Sequence, residues 1–196
     1  MKALRLALAG LAALLAAACP PVTTTAPAGS TVGFVNDPVL DGLWSGHLDS
    51  DTQVTYFHFV PRADNTITVI SVTPQSPHHA AQWNTYRLTS ATLGGQQFAN
   101  LRLVLTDGIA LSPTLRKENI PMRYVADGDA LTFYLLDEDK VRAAIAAHAI
   151  GGRTRKRAFG DNTTITTGAK ALDAFLRTPE GLALFGKPFL VLKKVK

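Results

Sequence analysis

The chain has 196 residues, of which 46% are hydrophobic and 18% charged, a composition typical of a folded globular protein rather than a disordered one. Its formal net charge of +5 comes from two clusters near the C-terminus, namely Arg153, Arg155, Lys156 and Arg157, then Lys187, Lys193, Lys194 and Lys196. Such local basicity is not a general nucleic-acid signature, so no nucleic-acid partner is expected, and a single cysteine excludes an intrachain disulfide.

The N-terminus has the three parts of a secretory signal peptide. Lys2 and Arg5 form a basic start, residues 6–18 contain only Leu, Ala and Gly, and small residues precede Cys19. The apolar run is too short to span a bilayer, which needs about 20 apolar residues. We therefore predict a signal peptide over residues 1–18. Its last three alanines also suit ordinary cleavage, which would leave Cys19 as a free thiol.

The stretch "LAAAC", residues 15–19, resembles the lipobox of bacterial lipoproteins. The resemblance implies that signal peptidase II cuts before Cys19, which then carries a diacylglycerol on its thiol and an amide-linked acyl chain, and so anchors the protein in a membrane of the cell envelope. Leu15 lies four residues before the cysteine, whereas the lipobox places Leu three before, where this chain has Ala16. Pro20, in place of Asp, implies the outer membrane, with the domain facing the periplasm.

Residues 20–38, "PPVTTTAPAGSTVGFVNDP", are rich in Pro, Thr and Ala. Such a segment offers little apolar surface to bury, and its prolines disfavour a helix. We therefore predict that residues 19–38 are the lipidated cysteine and a disordered tether. Residues 39–196 are then expected to form a single β-rich globular domain.

Most of this domain is predicted to be antiparallel strands joined by short turns. Runs rich in β-branched and aromatic residues predict strands at 54–60, 66–73, 83–93, 98–106 and 189–195. Residues 120–137 predict a hairpin, with Gly128 in its turn and with Leu131, Phe133 and Leu135 facing inward. Consecutive strands of this kind favour a meander that forms a curled sheet or a barrel.

Helices are predicted only in the C-terminal third. Asp137 is the expected N-cap of a helix that ends at Gly151–Gly152, with His148 in its last turn. A second helix is expected from about Gly168 to Arg177 with Thr167 as its cap, and Thr178–Pro179 starts one further turn. The fold class is therefore mainly β with minor α, with these helices covering an open side of the sheet.

Gly42-Leu43-Trp44 fits the pattern G-x-W, which resembles a motif on the first strand of lipocalins and related calycin barrels. The resemblance covers three residues. It implies a lipocalin-like barrel with Trp44 at its closed end and a cavity for a small apolar ligand. The residues alone predict Trp44 in the core, since a barrel of about eight strands can also be filled by its own side chains.

The sequence offers no catalytic motif, so no enzyme and no cofactor are predicted. Ser45 lacks the flanking glycines of a nucleophile elbow, and neither a phosphate-binding loop nor H-E-x-x-H is present. His47, Asp49, Asp51 and His58 could meet across a hairpin, but polar residues that alternate along a strand usually form a solvated face, and no metal is predicted there. His78 and His79 are expected in an exposed loop.

The run "GGRTRKRAFGDN", residues 151–162, predicts an exposed loop or hairpin tip. Its cations, Arg153, Arg155, Lys156 and Arg157, form either a solvated edge or a contact with anionic lipid or lipopolysaccharide.

Two functions are therefore considered. The first is a membrane-anchored envelope lipoprotein whose β-rich periplasmic domain is an interaction or structural module, with an envelope protein as a partner. The alternative is calycin-like binding of a small apolar ligand. An interior filled by large apolar side chains favours the first, and a cavity of roughly several hundred Å³ beside Trp44 or Trp83 favours the second.

Overall fold

The computed structural model describes residues 21–47, 53–76, 80–110, 118–156 and 161–196. The strands in these ranges are β1 (Thr23–Thr24), β2 (Gly42–His47), β3 (Val54–Pro61), β4 (Ile67–Thr73), β5 (Gln82–Leu93), β6 (Gln96–Thr106), β7 (Ile109–Ala110), β8 (Ile120–Asp127), β9 (Ala130–Leu136), β10 (Gly152–Arg155), β11 (Asn162–Ile165) and β12 (Phe185–Lys194). The helices are α1 (Glu138–Ala146), α2 (Ala169–Leu176) and α3 (Pro179–Ala183), and a 3-10 turn at Pro38–Leu40 precedes β2. The signal peptide and Cys19 lie outside the described residues, as do Asp49, Asp51, His78, His79 and Arg157.

Eight strands form a closed antiparallel barrel of lipocalin-like architecture, which confirms the predicted fold class. Strands β2 to β6, β8 and β9 follow one another around the barrel, and β12 closes it by pairing with both β9 and β2. In this closure Lys194 of β12 is in register with Trp44 of β2. Gly128 has the positive φ of 55° that the tight β8–β9 turn requires, as its sequence predicts.

The barrel interior is a packed apolar core. Every second side chain of each barrel strand faces inward, because alternate residues of a strand point to opposite faces. The fully or nearly buried members include Trp44, Phe57, Phe59, Ile67, Val69, Tyr86, Leu88, Tyr124, Leu131, Phe133, Leu190 and Leu192. The rings of Phe59 and Phe133 stack across the barrel with their centroids 6.3 Å apart. The predicted inward positions Leu131 and Phe133 are confirmed, and Leu135 is partly buried against the same cluster.

A second layer covers the outer side of β5, β6, β9 and the start of β12. It contains the three helices and a three-stranded sheet in the order β1, β11, β10, which we call the small sheet. Outward-facing Leu93, Phe98, Leu136 and Phe185 of the barrel pack with Val22, Val141, Ile150, Ile165, Leu172, Leu176 and Leu184 of this layer. The helices thus cover one side of the barrel, as predicted, and the small sheet covers that side together with them.

Two helix ends differ from the prediction. Helix α1 begins as predicted, since the Asp137 carboxylate accepts a hydrogen bond from the Lys140 N–H at 3.1 Å, but it ends at Ala146. His148 follows in the left-handed conformation with φ of 57°, which stops the helix before the glycines. Helix α2 is capped by Gly168 and not by Thr167, because the Thr167 hydroxyl is occupied by the backbone of Gly151.

Residues 21–38 are not a free tether in the structure, so the prediction of a disordered tether is wrong for this stretch. Val22 is 3% exposed and Ala28 is fully buried. Both belong to the apolar cluster between the barrel and the second layer, which we call the outer core. The low apolar content of this segment predicted disorder, but apolar burial is not all that orders it. This segment is also held by hydrogen bonds from its backbone to polar side chains that lie far away in the sequence.

Candidate functional site

The described chain begins two residues after Cys19, and it is folded from that point. Val22 is buried, and Thr23–Thr24 form β1, which runs parallel to β11 of the small sheet. The hydroxyl of Thr23 lies 3.0 Å from the Thr164 hydroxyl and donates to the Glu118 carboxylate at 2.9 Å. The predicted lipid-attachment point therefore lies four positions before an ordered strand in the sequence.

Two asparagines hold the backbone of the N-terminal segment. Thr24 exchanges two backbone hydrogen bonds with Asn119, at 2.8 and 3.1 Å, and the Asn119 amide also donates to the Thr24 carbonyl. The Asn100 side chain accepts from the Ala28 N–H at 2.7 Å and donates to the Ala28 carbonyl at 2.9 Å. The Asn100 amide thus satisfies both backbone groups of the buried Ala28, and the Asn119 amide adds a second donor to the Thr24 carbonyl.

Asp173 of α2 holds the next turn of the segment. Its carboxylate is 1% exposed and accepts from the Gly29 N–H at 2.7 Å, the Thr31 N–H at 2.9 Å and the Thr31 hydroxyl at 2.6 Å. Three donors to one carboxylate are the arrangement by which a buried charge is stabilised. Gly29 has φ of 80°, and a Cβ there would lie 2.3 Å from the Ala91 side chain, so only glycine fits.

The described cations of the first basic cluster lie on or directly after the outer strand of the small sheet. Arg153 and Arg155 belong to β10, the outer strand of that sheet, and Lys156 follows directly. All three side chains are exposed, and none of the ion pairs found among the described residues involves them. The run was predicted as a loop or hairpin tip. Its described part contains β10, an exposed edge strand that pairs antiparallel with β11, and Gly152 begins that strand in close contact with Ile145.

The second basic cluster lies on and just after β12, and its cations have different surroundings. The ammonium of Lys194 lies 5.1 Å from the centre of the Trp44 ring. Lys196 forms an ion pair with Asp129 at 2.6 Å, and their contact lowers the pKa of Asp129 and raises the pKa of Lys196. Lys187 and Lys193 are exposed. This cluster therefore does not form a single cationic surface.

The cavity inside the barrel is small. Its volume is about 40 Å³, and its lining is apolar, with Phe57, Tyr86, Met122 and Phe133 among the contributing side chains. A site for a drug-sized ligand needs about 300–1,000 Å³. Neither tryptophan lines the cavity: Trp44 is 1% exposed and donates its indole N–H to the Leu40 carbonyl at 3.0 Å, whereas Trp83 is 43% exposed. The prediction of Trp44 as a core residue is confirmed.

A larger depression of about 460 Å³ lies at the surface between residues 37–39, the start of β6 and the end of β8. The Tyr124 hydroxyl donates to the Asp37 carboxylate at 2.7 Å beside it. Burial raises the pKa of Tyr124 far above its ordinary value, and the hydrogen bond to Asp37 and the charge of Asp37 act in the same direction. Burial also raises the pKa of Tyr86 inside the barrel. The neutral phenols therefore stabilise the fold.

This stabilisation should be lost in alkali. A phenol whose pKa is raised by folding contributes fully below its unfolded pKa of about 10, and the contribution falls as the pH rises above that value. We expect Tyr124→Phe to reduce the slope with which the free energy of unfolding falls between about pH 10 and pH 12. Urea unfolding at a series of pH values measures this slope, and an unchanged slope would contradict the assignment of the titration to Tyr124.

The candidate metal group is only partly described. His47 and His58 lie on β2 and β3, in register with Val54 and Leu43, and both are exposed. Asp49 and Asp51 lie outside the described residues. Within the ranges that the structure describes, no group of three or more His, Cys, Asp or Glu side chains could hold a metal ion.

Sequence reasoning missed Asn100, Asn119 and Asp173. Asn100 and Asn119 carry no local signal, because their partners lie 72 and 95 residues away in the chain. Asp173 has a weak local signal, because it lies between Leu172 and Leu176, which are both buried. A carboxylate beside an apolar helix face needs a partner, and this one finds it in the N-terminal segment.

The fold is therefore that of an eight-stranded lipocalin-like barrel with an added outer layer. None of the helices in the described part of the chain has the length and apolar character that a membrane span requires. In comparisons with protein-family models, curated proteins and solved structures, nothing matches this chain.

Proposed function

We propose that the protein is a bacterial envelope lipoprotein, anchored through Cys19, whose barrel domain is an interaction or structural module. The observation that carries this proposal is the sequence "LAAAC" with the chain's single cysteine, placed between an apolar run and a folded domain. Lipidation explains why an exported chain has one cysteine, since the thiol is consumed. Pro20 after the cysteine supports the outer membrane, on its periplasmic side.

The packed barrel interior supports a module that acts through its surface. On the outer side of the barrel, Tyr56, Val72 and Trp83 are cross-strand neighbours on β3, β4 and β5, and all three are exposed. Aromatic side chains are enriched where proteins contact one another. This row is the surface by which an envelope protein would bind the domain.

The alternative, binding of a small apolar ligand inside the barrel, has weaker support. The lining of the interior cavity is wholly suited to it, because Phe57, Phe59, Met122 and Phe133 are apolar. The cavity volume of about 40 Å³ is nevertheless far below what such a ligand needs. Ligand binding would therefore require several of these side chains to move.

Replacement of Cys19 tests the proposal. Cys19→Ala should abolish membrane anchoring, because the thiol that accepts the diacylglycerol is gone. Globomycin, which blocks signal peptidase II, should cause an uncleaved precursor of the wild-type protein to accumulate. Membrane fractionation and the mass of the N-terminal peptide measure both effects. Normal processing of Cys19→Ala, with unchanged fractionation and no lipid mass on the wild-type peptide, would refute lipidation.

A further inference from the structure

The small sheet brings the start of the folded chain next to the basic strand. Thr23 of β1 is in register with Thr164 of β11, and Thr164 is in register with Arg153 of β10. Neighbouring strands lie about 4.8 Å apart, so the backbones of Thr23 and Arg153 are about 10 Å apart. Thr23 and Arg153, which are 130 positions apart in sequence, thus lie in one row of residues across the small sheet.

The strand directions place the cations and the start of the described chain at the same end of this sheet. β1 runs parallel to β11, and β10 runs antiparallel to β11. Moving back from Thr24 to Thr23 therefore follows the same direction as moving forward from Arg153 to Arg155. We call this end, made by the start of β1, the start of β11 and Arg155–Lys156, the basic end of the small sheet.

Only a short length of chain separates this end of the sheet from the proposed lipid. Val22 is buried, so only three peptide units separate Cys19 from a fixed position on the domain. A fully extended chain of three residues reaches about 11 Å at most. The electrostatic screening length at physiological ionic strength is about 8 Å, so cations at the basic end are close enough to act on the headgroups around the anchor.

The charge of the basic end suits an anionic surface. Arg153, Arg155 and Lys156 are exposed, and no carboxylate in the described part of the chain forms an ion pair with them. Glu118 is nearby, bonded to Thr23, and offsets part of this charge. Glu138, bonded to Thr163, and Asp161, which precedes β11, also lie near this end, and both form ion pairs with Arg142. Arg153, Arg155 and Lys156 form no ion pair among the described residues, and each exposed cation attracts an anionic bilayer.

We propose that the basic end of the small sheet rests on the anionic phospholipid surface in which Cys19 is anchored. This inference rests on the proposed lipidation. The bonds from Asn100, Asn119 and Asp173 fix residues 24–31 to the domain, so the contact sets the orientation of the whole barrel. β8 lies next to β1, and β3 stands opposite β8 in the ring of eight strands. The outer face of β3, with its neighbour β4, therefore lies across the barrel from the small sheet, far from the proposed contact.

The orientation can be measured on the full lipidated protein. Because Cys19 is acylated, an introduced cysteine is the single free thiol of the mature chain. Thr154→Cys on β10 and His58→Cys on β3 place a fluorophore at two exposed positions, near and far from the proposed contact. The labelled proteins are reconstituted in vesicles of phosphatidylcholine and phosphatidylglycerol in equal parts, with spin-labelled headgroups as the quencher.

We expect quenching at position 154 to be severalfold stronger than at position 58. Arg153→Glu with Arg155→Glu should shift the ratio of docked to undocked protein by about tenfold or more, because each cation contributes about 1 kcal/mol. The matched control, Lys187→Glu with Lys193→Glu, makes the same change in charge on β12 and should leave the difference between positions unchanged. Vesicles of phosphatidylcholine alone should also reduce quenching at position 154.

The outcomes separate the two proposals. Equal quenching at positions 154 and 58 in protein that carries lipid would overturn the docking contact and leave lipidation intact. Protein that carries no lipid mass and does not float with vesicles would refute lipidation itself. Lys156→Cys gives a second label position if Thr154→Cys does not fold, and circular dichroism of every variant checks that the β-structure is retained.

Discussion

A chain that begins at Val39 is expected to be less stable than one that begins at Pro21 by roughly 5 kcal/mol or more. The truncation removes Val22 and Ala28 from the outer core, and it removes the hydrogen-bond partners that Asn100, Asn119 and Asp173 have in this segment. The whole stability of a domain is about 5–15 kcal/mol, so the shorter chain should be largely unfolded or close to it. Urea unfolding of the two chains, followed by circular dichroism, measures the difference.

A single substitution isolates the largest part of this effect. Asp173→Ala leaves the N–H groups of Gly29 and Thr31 and the Thr31 hydroxyl without an acceptor, and hydrogen bonds to a charged group contribute about 1.5–3 kcal/mol each. We expect a loss of about 3 kcal/mol or more. Asp139→Ala is the control, because Asp139 also lies on a helix but is exposed in its pair with Arg142. Equal urea midpoints for the chains that begin at residues 21 and 39 would show that the segment does not stabilise the domain.

The barrel could be predicted because its signals are local. Runs rich in β-branched and aromatic residues place β3 to β6 within two residues of their observed bounds, and Gly128 marks the turn between β8 and β9. The start of α3 follows from Thr178, whose hydroxyl accepts from the Gly181 N–H at 3.0 Å, with Pro179 at the first helical position. Each of these features depends on neighbours a few residues away, and such features are what a single sequence expresses.

The N-terminal segment and the candidate contact could not be predicted, because both depend on partners that are distant in the chain. Nothing in residues 21–31 indicates that Asp173, some 140 positions later, holds their backbone. The cations Arg153 and Arg155 are visible in the sequence, but their position beside β1 follows only from the pairing of both strands with β11. Low apolar content predicted a tether, whereas buried polar partners produce an ordered segment.

Trp44→Ala is expected to lower the free energy of unfolding by about 3–5 kcal/mol. Trp44 is fully enclosed by the barrel core, its indole N–H is bonded to the Leu40 carbonyl, and Lys194 covers its ring. It also lies where β2 pairs with β3 on one side and with β12 on the other, so its removal leaves a cavity at the point of barrel closure. The loss therefore combines transfer free energy with the cost of an unfilled space.

The chain supplies its own control, because it has two tryptophans and the second is exposed. Trp83→Ala removes the same number of atoms from the outer surface of β5, and we expect a change within about 0.5 kcal/mol. Urea unfolding of both variants, monitored by circular dichroism, gives the comparison. Similar losses for the two substitutions would mean that Trp83 is also enclosed, and a loss below about 1 kcal/mol for Trp44→Ala would mean that the closure between β2 and β12 does not depend on this ring.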